Sequence, residues 1–141
     1  MRRQVWRIVQ AQYDPLGLLA PLTLRLKLLL RAMALADPGG AWDKEVGGDL
    51  HTQCKEICAE FRQARSIWFP RSVLGEGDGV VLLVFADAST VALAATIYAR
   101  VESSGSYKCT LVAACTKVAP ACHVSIPRLE LTAAVLAVRL A

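Results

Sequence analysis

The feature that most constrains the fold is an uninterrupted apolar run, Val80–Phe85. Six apolar residues in a row are too few for a long buried helix and are typical of a buried strand. Two further β-like runs follow at 91–101 and 107–115, with the polar turn Ser103–Ser106 between them. The pattern therefore predicts a three-stranded antiparallel meander over 80–115.

The third run and the segment after it complete this region. Alternation along the third run predicts that four of its residues share one face of the strand: Cys109, Leu111, Ala113 and Cys115. Ser125-Ile126-Pro127 marks a helix start, because proline is tolerated in the first helical turn. We expect a helix over 127–141, packed across one face of the meander.

The first half of the chain is predicted to be largely helical. Residues 4–12 are too short a segment to assign, and Pro15 and Gly17 indicate a turn after them. A helix is expected over 21–36, and because leucines cover most of its circumference it needs protein on several sides. One of its faces carries Leu22, Leu26, Leu29 and Met33. A second helix is expected over 49–66, with a narrow apolar stripe formed by Leu50, Cys54, Ile57, Phe61 and Ala64.

These elements predict an α/β fold of the α+β kind, with two parts. A helical segment occupies 1–72, and a unit with the meander and one helix occupies 73–141. The glycine-rich segment 75–79 separates them. It is acidic and precedes a strand, so it is not expected to bind phosphate.

Composition and charge exclude some protein classes. Hydrophobic residues make up 55% of the chain and charged residues 20%, which excludes a disordered protein. The net charge of +4 permits nucleic-acid contact without demanding it, since phosphate binding depends on clustered charge. The candidates for such contact are Arg25, Lys27 and Arg31, which are equally compatible with an ordinary solvated surface.

Cysteine usage and hydropathy indicate an intracellular, cytoplasmic protein that does not enter a membrane. The chain has an odd number of cysteines and no CxxC pair, which favours reduced thiols over a disulfide framework. No apolar core of a signal peptide follows the first arginines. Residues 18–36 are the most apolar stretch, but basic residues interrupt them, so a buried helix is favoured over a membrane span.

Two carboxylates occupy positions that suit metal chemistry. Asp87 lies where the first strand is expected to end, and Glu130 lies in the first turns of the last helix. If that helix folds back across the sheet, both can converge on Mg²⁺, a hard cation that prefers oxygen ligands. The alternative is structural, with Asp87 capping Ser89 or Thr90 in a turn. Glu130 would then lie near the start of the helix because the positive end of the helix dipole stabilises a carboxylate.

Three blocks of the sequence, in the right order, resemble BEL/Pao-type retrotransposon polyproteins. Tyr13–Pro21 is similar to the stretch that follows the polymerase core of their reverse transcriptase. Phe85–Ser89, followed by Ile97-Tyr98, resembles the first strand and hairpin of retroelement ribonuclease H domains. The third block comprises Val118–Pro120 and Ser125–Leu131 with Ala133–Val135. It is similar to the segment that leads into the first helix of those domains.

The resemblance implies a function. Residues 1–72 would correspond to the C-terminal or connection part of reverse transcriptase, and 73–141 to the N-terminal half of ribonuclease H. Asp87 and Glu130 would match the first two of four metal-binding carboxylates, with Mg²⁺ or Mn²⁺ as the cofactor. The other two would lie beyond residue 141, which leaves the site incomplete and this chain inactive by itself.

The implied partners are an RNA–DNA hybrid or a template–primer, and the rest of the polyprotein. The implied location is the cytoplasm, a virus-like particle or the nucleus. The other interpretation is a non-catalytic protein, a decayed or host-expressed retroelement remnant with at most a binding role. The chain also departs from the family, because Leu93 and Ala94 stand where an aromatic residue and a glycine are usual.

Other activities are not supported by the sequence. The same family region carries a Pao peptidase name, but a retroviral-type peptidase needs Asp-Thr-Gly or Asp-Ser-Gly, and Asp87-Ala88-Ser89 lacks that glycine. No local motif supports a Ser/His/Asp or Cys/His hydrolase. A zinc site would require two distant segments to meet, so the core-cysteine interpretation is favoured over a site formed by His51, Cys54, Cys58, Cys122 and His123.

Two surfaces are expected to remain uncovered. In the resembled fold the first strand pairs on its far side with a later parallel strand. Here Val80–Phe85 would instead present an open apolar edge, which is a template for pairing with another chain. The apolar helix at 21–36 would add a second uncovered surface, because the polymerase would be absent. Self-association is the expected consequence.

Overall fold

The computed structural model describes residues 2–45, 47–69, 72, 79–103 and 105–141. The secondary-structure elements along these residues are α1 (Arg2–Gln10), α2 (Ala20–Ala36), α3 (Gly48–Ala64), β1 (Val80–Ala88), β2 (Ala92–Ser103), β3 (Ser106–Val118) and α4 (Ile126–Leu140). The α+β class is confirmed, with a three-stranded antiparallel sheet as predicted. None of the helices in these ranges is long and apolar enough to cross a bilayer.

The chain divides into two compact units. The N-terminal unit draws its residues from 1–14 and 21–68, and the C-terminal unit draws them from 15–20 and 69–141. The glycine-rich segment that was expected to separate two parts falls mostly on residues 73–78, which lie outside the described residues.

The N-terminal unit closes a core of its own around α2. Among the four residues on the predicted face of α2, Leu26, Leu29 and Met33 are buried. They pack in one cluster with Val5 of α1 and Ile57 of α3. The expectation of an uncovered helix is therefore wrong for this face, which α1 and α3 cover, whereas Leu35 of α2 remains 63% exposed.

The core of the C-terminal unit lies between the sheet and α4. The sheet order is β1-β2-β3, so β2 is central, and every second residue of β2 from Leu93 to Val101 is buried. The buried residues of α4 recur at the spacing of one helical face. They are Leu129, Ala133, Leu136 and Ala137, and they form one cluster with Leu93 and Ala95.

A β-bulge changes the pattern predicted for β3. Ile97 pairs with Ala113 but Tyr98 pairs with Leu111, so Val112 is an extra residue. The prediction that four residues of this strand share one face is therefore wrong, because simple alternation fails where a residue is inserted. Cys109 and Leu111, which precede the bulge, lie on one face of the sheet. Ala113 and Cys115, which follow it, lie on the other face.

The turn at Pro15–Ala20 lies against the edge of β3. The Ala114 N–H donates a hydrogen bond of 2.8 Å to the Leu16 carbonyl. Gly17 has a φ of 68°, and a Cβ built there would lie 1.7 Å from the Ala114 carbonyl oxygen. Both the backbone conformation and the close approach therefore require glycine at this position.

The other edge of the sheet belongs to β1. Within the described residues β1 pairs with β2 alone. Apolar side chains along it are between 42% and 58% exposed: Val80, Val81, Leu82, Val84 and Phe85. An apolar edge with unpaired backbone groups is therefore present where the sequence places the first strand.

Candidate metal site

Asp87 is the penultimate residue of β1, and its side chain is exposed. One of its carboxylate oxygens, Oδ1, accepts a hydrogen bond of 2.8 Å from the N–H of Ala88. Ala88 packs against the cluster beneath α4. Because side chains alternate along a strand, the Asp87 side chain points to the other face of the sheet.

The turn after β1 is organised by Ser89 and not by Asp87. The Ser89 hydroxyl oxygen accepts hydrogen bonds from the N–H groups of Val91 at 3.2 Å and Ala92 at 3.1 Å. The Ser89 N–H donates to the Ala92 carbonyl at 2.8 Å. The structural alternative, in which Asp87 caps Ser89 or Thr90, therefore loses its main support, since the turn is closed by other atoms.

Glu130 is the fifth residue of α4, counted from Ile126 as the first, and its side chain is exposed. No acidic residue lies in the first turn of that helix. The favourable effect of a carboxylate on the helix dipole falls off within the first turn, so Glu130 gains little from it. Pro127 lies in the first turn as predicted, and Ser125, the residue before the helix, makes no side-chain cap.

The two carboxylates flank residues of one hydrophobic cluster. Glu130 follows Leu129, which is buried under the sheet, and Asp87 precedes Ala88, which packs on the same cluster. Asp87 itself points to the sheet face opposite the one that is covered by α4, the helix that carries Glu130. A separation of about 8 Å or less between the carboxylates stays a prediction.

The donor set fits part of a magnesium site. Carboxylate oxygens are the ligands that Mg²⁺ prefers, and one or two of them suffice when phosphate oxygens and water complete the octahedron. In the part of the chain that the structure describes, no group of three or more His, Cys, Asp or Glu side chains could hold a metal ion. Asp87 and Glu130 therefore do not form a complete protein centre there.

The basic residues proposed for nucleic-acid contact do not share one helix face. Arg25 forms an ion pair with Glu60 of α3. Lys27 and Arg31 are four residues apart along α2, which places them on one face, whereas Arg25 and Lys27 are two apart and diverge. The contact with nucleic acid stays a prediction, and Arg25 is already held by a carboxylate.

The cysteines of α3 are explained by packing. Cys54 is buried in the N-terminal core, and burial raises the pKa of its thiol, with the nearby Cys58 as a second cause. Cys122 and His123 are exposed in the C-terminal unit. The burial of Cys54 in this core supports the core-cysteine interpretation.

One feature of the N-terminal unit was missed by the sequence-based reasoning. Trp6 and Trp42 meet edge to face, with ring centroids 6.3 Å apart, beside an open cavity. Two of the three tryptophans of the chain therefore lie together. The only signal in the sequence was the presence of Trp6 in a short arginine-rich segment.

The family of the chain follows from its comparison with known proteins. A family model described as "Pao retrotransposon-like RNaseH-like domain" matches residues 1–141. No curated protein and no solved structure matches the chain. The match spans both structural units and agrees with the sheet-and-helix arrangement of the second one. The chain therefore belongs to the Pao retrotransposon-like RNaseH-like domain family.

Proposed function

We propose that this chain is the junction of reverse transcriptase and ribonuclease H in a Pao-type retrotransposon polyprotein. The observation that carries the proposal is the placement of two exposed carboxylates. Asp87 is the penultimate residue of β1 and does not close the turn after it, and Glu130 is an exposed residue of α4, which packs across β1 and β2 on the opposite face of the sheet.

In this proposal Asp87 and Glu130 hold Mg²⁺ or Mn²⁺ at the carboxyl end of β1. When bound, the metal supplies an activated water and stabilises the leaving oxygen of the cleaved phosphodiester. The two carboxylates orient the ion and offset its charge. Two further carboxylates would lie beyond residue 141, and the substrate would be the RNA strand of an RNA–DNA hybrid.

A metal-binding experiment tests the site without relying on activity. Substoichiometric Mn²⁺ is added to the isotope-labelled chain, and paramagnetic broadening of backbone amide signals is measured by NMR. The amides around Asp87 and Glu130 are expected to broaden together, because one ion lies near both. Asp87→Asn or Glu130→Gln should remove the broadening at both places, whereas the control Glu102→Gln should not. Broadening confined to one of the two positions would contradict the shared site.

Activity provides the second test. The 141-residue chain, incubated with an RNA–DNA hybrid and Mg²⁺ or Mn²⁺, is expected to cleave nothing, because two carboxylates hold the ions too weakly. Cleavage that disappears in Asp87→Asn would show that the chain itself contains further metal ligands. In that case the proposed division of the site between this chain and residues beyond 141 would be wrong.

A second candidate function is a non-catalytic retroelement remnant with at most a binding role. The observation that favours it is the direction of the Asp87 side chain, which points to the sheet face opposite α4 and Glu130. The surrounding genomic sequence discriminates between the two functions. Polymerase aspartates upstream and further ribonuclease H carboxylates downstream favour the polyprotein, whereas an intact start, stop and splice structure around this frame favours the remnant.

A further inference from the structure

The N-terminal unit contains a small cavity where α1, α2 and α3 meet. Its volume is about 250 Å³, and residues of all three helices line it. Its wall includes Met33 of α2 and both Cys54 and Cys58 of α3. Three sulfur-containing residues therefore line one cavity that the proposed hydrolytic function does not use.

The two cysteines are held side by side by their helix. Cys54 and Cys58 are four residues apart in α3, and residues at this spacing share one face, with Cβ atoms about 5–6 Å apart. One of the two thiols donates a hydrogen bond to the other. Metal–thiolate bonds are about 2.3 Å long in zinc sites, so an ion of similar size joins sulfur atoms up to about 4.6 Å apart. Both thiols are therefore within reach of a single ion.

Met33 contributes a third sulfur atom. It is buried and belongs to the same hydrophobic cluster as Cys54, against which Cys58 also packs. The methionine side chain is flexible and its thioether is polarisable, so the sulfur can turn toward the cavity while the helices stay in place. Because the core already holds these residues together, little conformational entropy is lost when an ion binds.

The donor atoms determine which kind of ion would bind. Thiolates and thioethers are soft ligands that suit Cu⁺, whereas Mg²⁺, Ca²⁺ and Mn²⁺ prefer oxygen ligands. His51 also lines the cavity, but it does not form with the two cysteines a group that could hold a metal ion. Structural zinc is almost always four-coordinate. Cu⁺, with a filled d shell and a single charge, is stable with fewer ligands, so the three sulfurs are enough for it.

Charged side chains on the wall also favour a monovalent ion. Among the described residues that line the cavity, the charged ones are the basic residues Lys55 and Arg62. Two thiolates around Cu⁺ carry a net negative charge, which these cations stabilise. Two thiolates around a divalent ion are neutral and gain less from the same cations. The charge of the wall therefore agrees with the softness of the donors.

We propose that Cys54, Cys58 and Met33 form a binding site for Cu⁺. Each cysteine releases its proton to solvent as its sulfur binds the ion, and no electron is transferred. Cys58 is only partly buried, so the ion reaches it first and then Cys54, which is 9% exposed. The site shares no residue with Asp87 or Glu130 and goes beyond the proposed hydrolytic function.

The test is a competition titration on the full chain. Reduced protein is added without oxygen to the coloured complex of Cu⁺ with bicinchoninate, and the loss of colour gives the stoichiometry and the Kd. One tightly held Cu⁺ per chain is expected. Cys58→Ser should weaken its binding about a hundredfold or more, because it removes a ligand and supporting residues alone contribute about 10–100-fold. Met33→Leu nearly preserves the side-chain volume and should weaken binding about tenfold.

Matched controls separate this site from other groups. Cys109→Ser and Cys122→Ser each remove an exposed thiol of the C-terminal unit and should leave the affinity within about twofold. His51→Gln should do the same. Asp87→Asn should also leave it unchanged, so failure of this proposal is distinguishable from failure of the Mg²⁺ site. Cu⁺ should raise the Tm of the unmodified chain but not that of Cys58→Ser, because only a bound ion stabilises the folded state.

X-ray absorption at copper identifies the ligand atoms in the unmodified chain and needs no variant that folds. Sulfur neighbours alone are expected. Scattering from an imidazole ring would overturn the three-sulfur site, as would a His51→Gln variant that loses as much affinity as Cys58→Ser. The proposal also fails if bicinchoninate retains all the Cu⁺. It fails equally if Cys58→Ser and Met33→Leu bind as the unmodified chain does.

Discussion

Replacement of Gly17 by alanine is expected to destabilise the C-terminal unit strongly. Two effects add at this position. The φ of 68° costs an alanine about 1–2 kcal/mol, because its Cβ approaches the neighbouring carbonyl. The added Cβ would also lie 1.7 Å from the Ala114 carbonyl oxygen, where an ordinary contact is about 3.5 Å. The turn must therefore move away from β3.

The displacement breaks a specific hydrogen bond. The Ala114 N–H donates to the Leu16 carbonyl at 2.8 Å, and its loss costs about 0.5–1.5 kcal/mol. Together with the strain, Gly17→Ala should cost about 3 kcal/mol and lower the Tm by roughly 10 °C or more. The measurement is urea denaturation followed by circular dichroism, with a thermal melt on the same samples.

Gly105→Ala is the matched control. Gly105 belongs to the same unit and has a φ of 77°, but nothing lies within 4 Å of a Cβ built there. This control carries the strain without the overlap, so it should cost only about 1–2 kcal/mol. If the two variants lose the same stability, the close approach of the Pro15–Ala20 turn to β3 contributes nothing and the reasoning fails.

Two further predictions concern the edge strand and a buried thiol. The chain should self-associate through β1, and Val81→Lys should reduce the mass seen by size-exclusion chromatography with light scattering, because charged side chains block edge pairing. Val138→Lys, which alters an apolar residue of α4 that is 78% exposed, is the control; a monodisperse unmodified monomer would contradict the prediction. The raised pKa of Cys54 means that the folded state holds this proton more tightly than the unfolded chain. Stability of the N-terminal unit is therefore full below about pH 9 and falls as the pH rises through the raised pKa. Urea denaturation at increasing pH should show that slope in the unmodified chain and in Cys122→Ala but not in Cys54→Ala; equal slopes in all three would refute it.

Hydrophobic patterning alone determined the type and order of the main elements. The apolar run at Val80–Phe85, the two β-like runs after it and Pro127 near a helix start each report a local preference, and each element formed. The helix expected over 21–36 is observed at Ala20–Ala36. Such local signals survive because the spacing of apolar residues, which favours helix or strand, is a property of residues close in sequence.

Tertiary structure decided what depends on contacts between distant residues. The bulge at Val112 arises from pairing with β2, and no feature of the β3 sequence alone reveals it. The need for glycine at position 17 comes from Ala114, almost a hundred residues away in the chain. The burial of α2 likewise required α1, a segment too short to assign by periodicity.

The candidate site shows the same division. Residue type and position in the sequence singled out Asp87 and Glu130, because carboxylates at a strand end and near a helix start are recognisable locally. Only the structure showed that Ser89 closes the turn and that Glu130 lies beyond the first turn of α4. Hydrogen-bond partners depend on the folded backbone, so no sequence pattern could have assigned them.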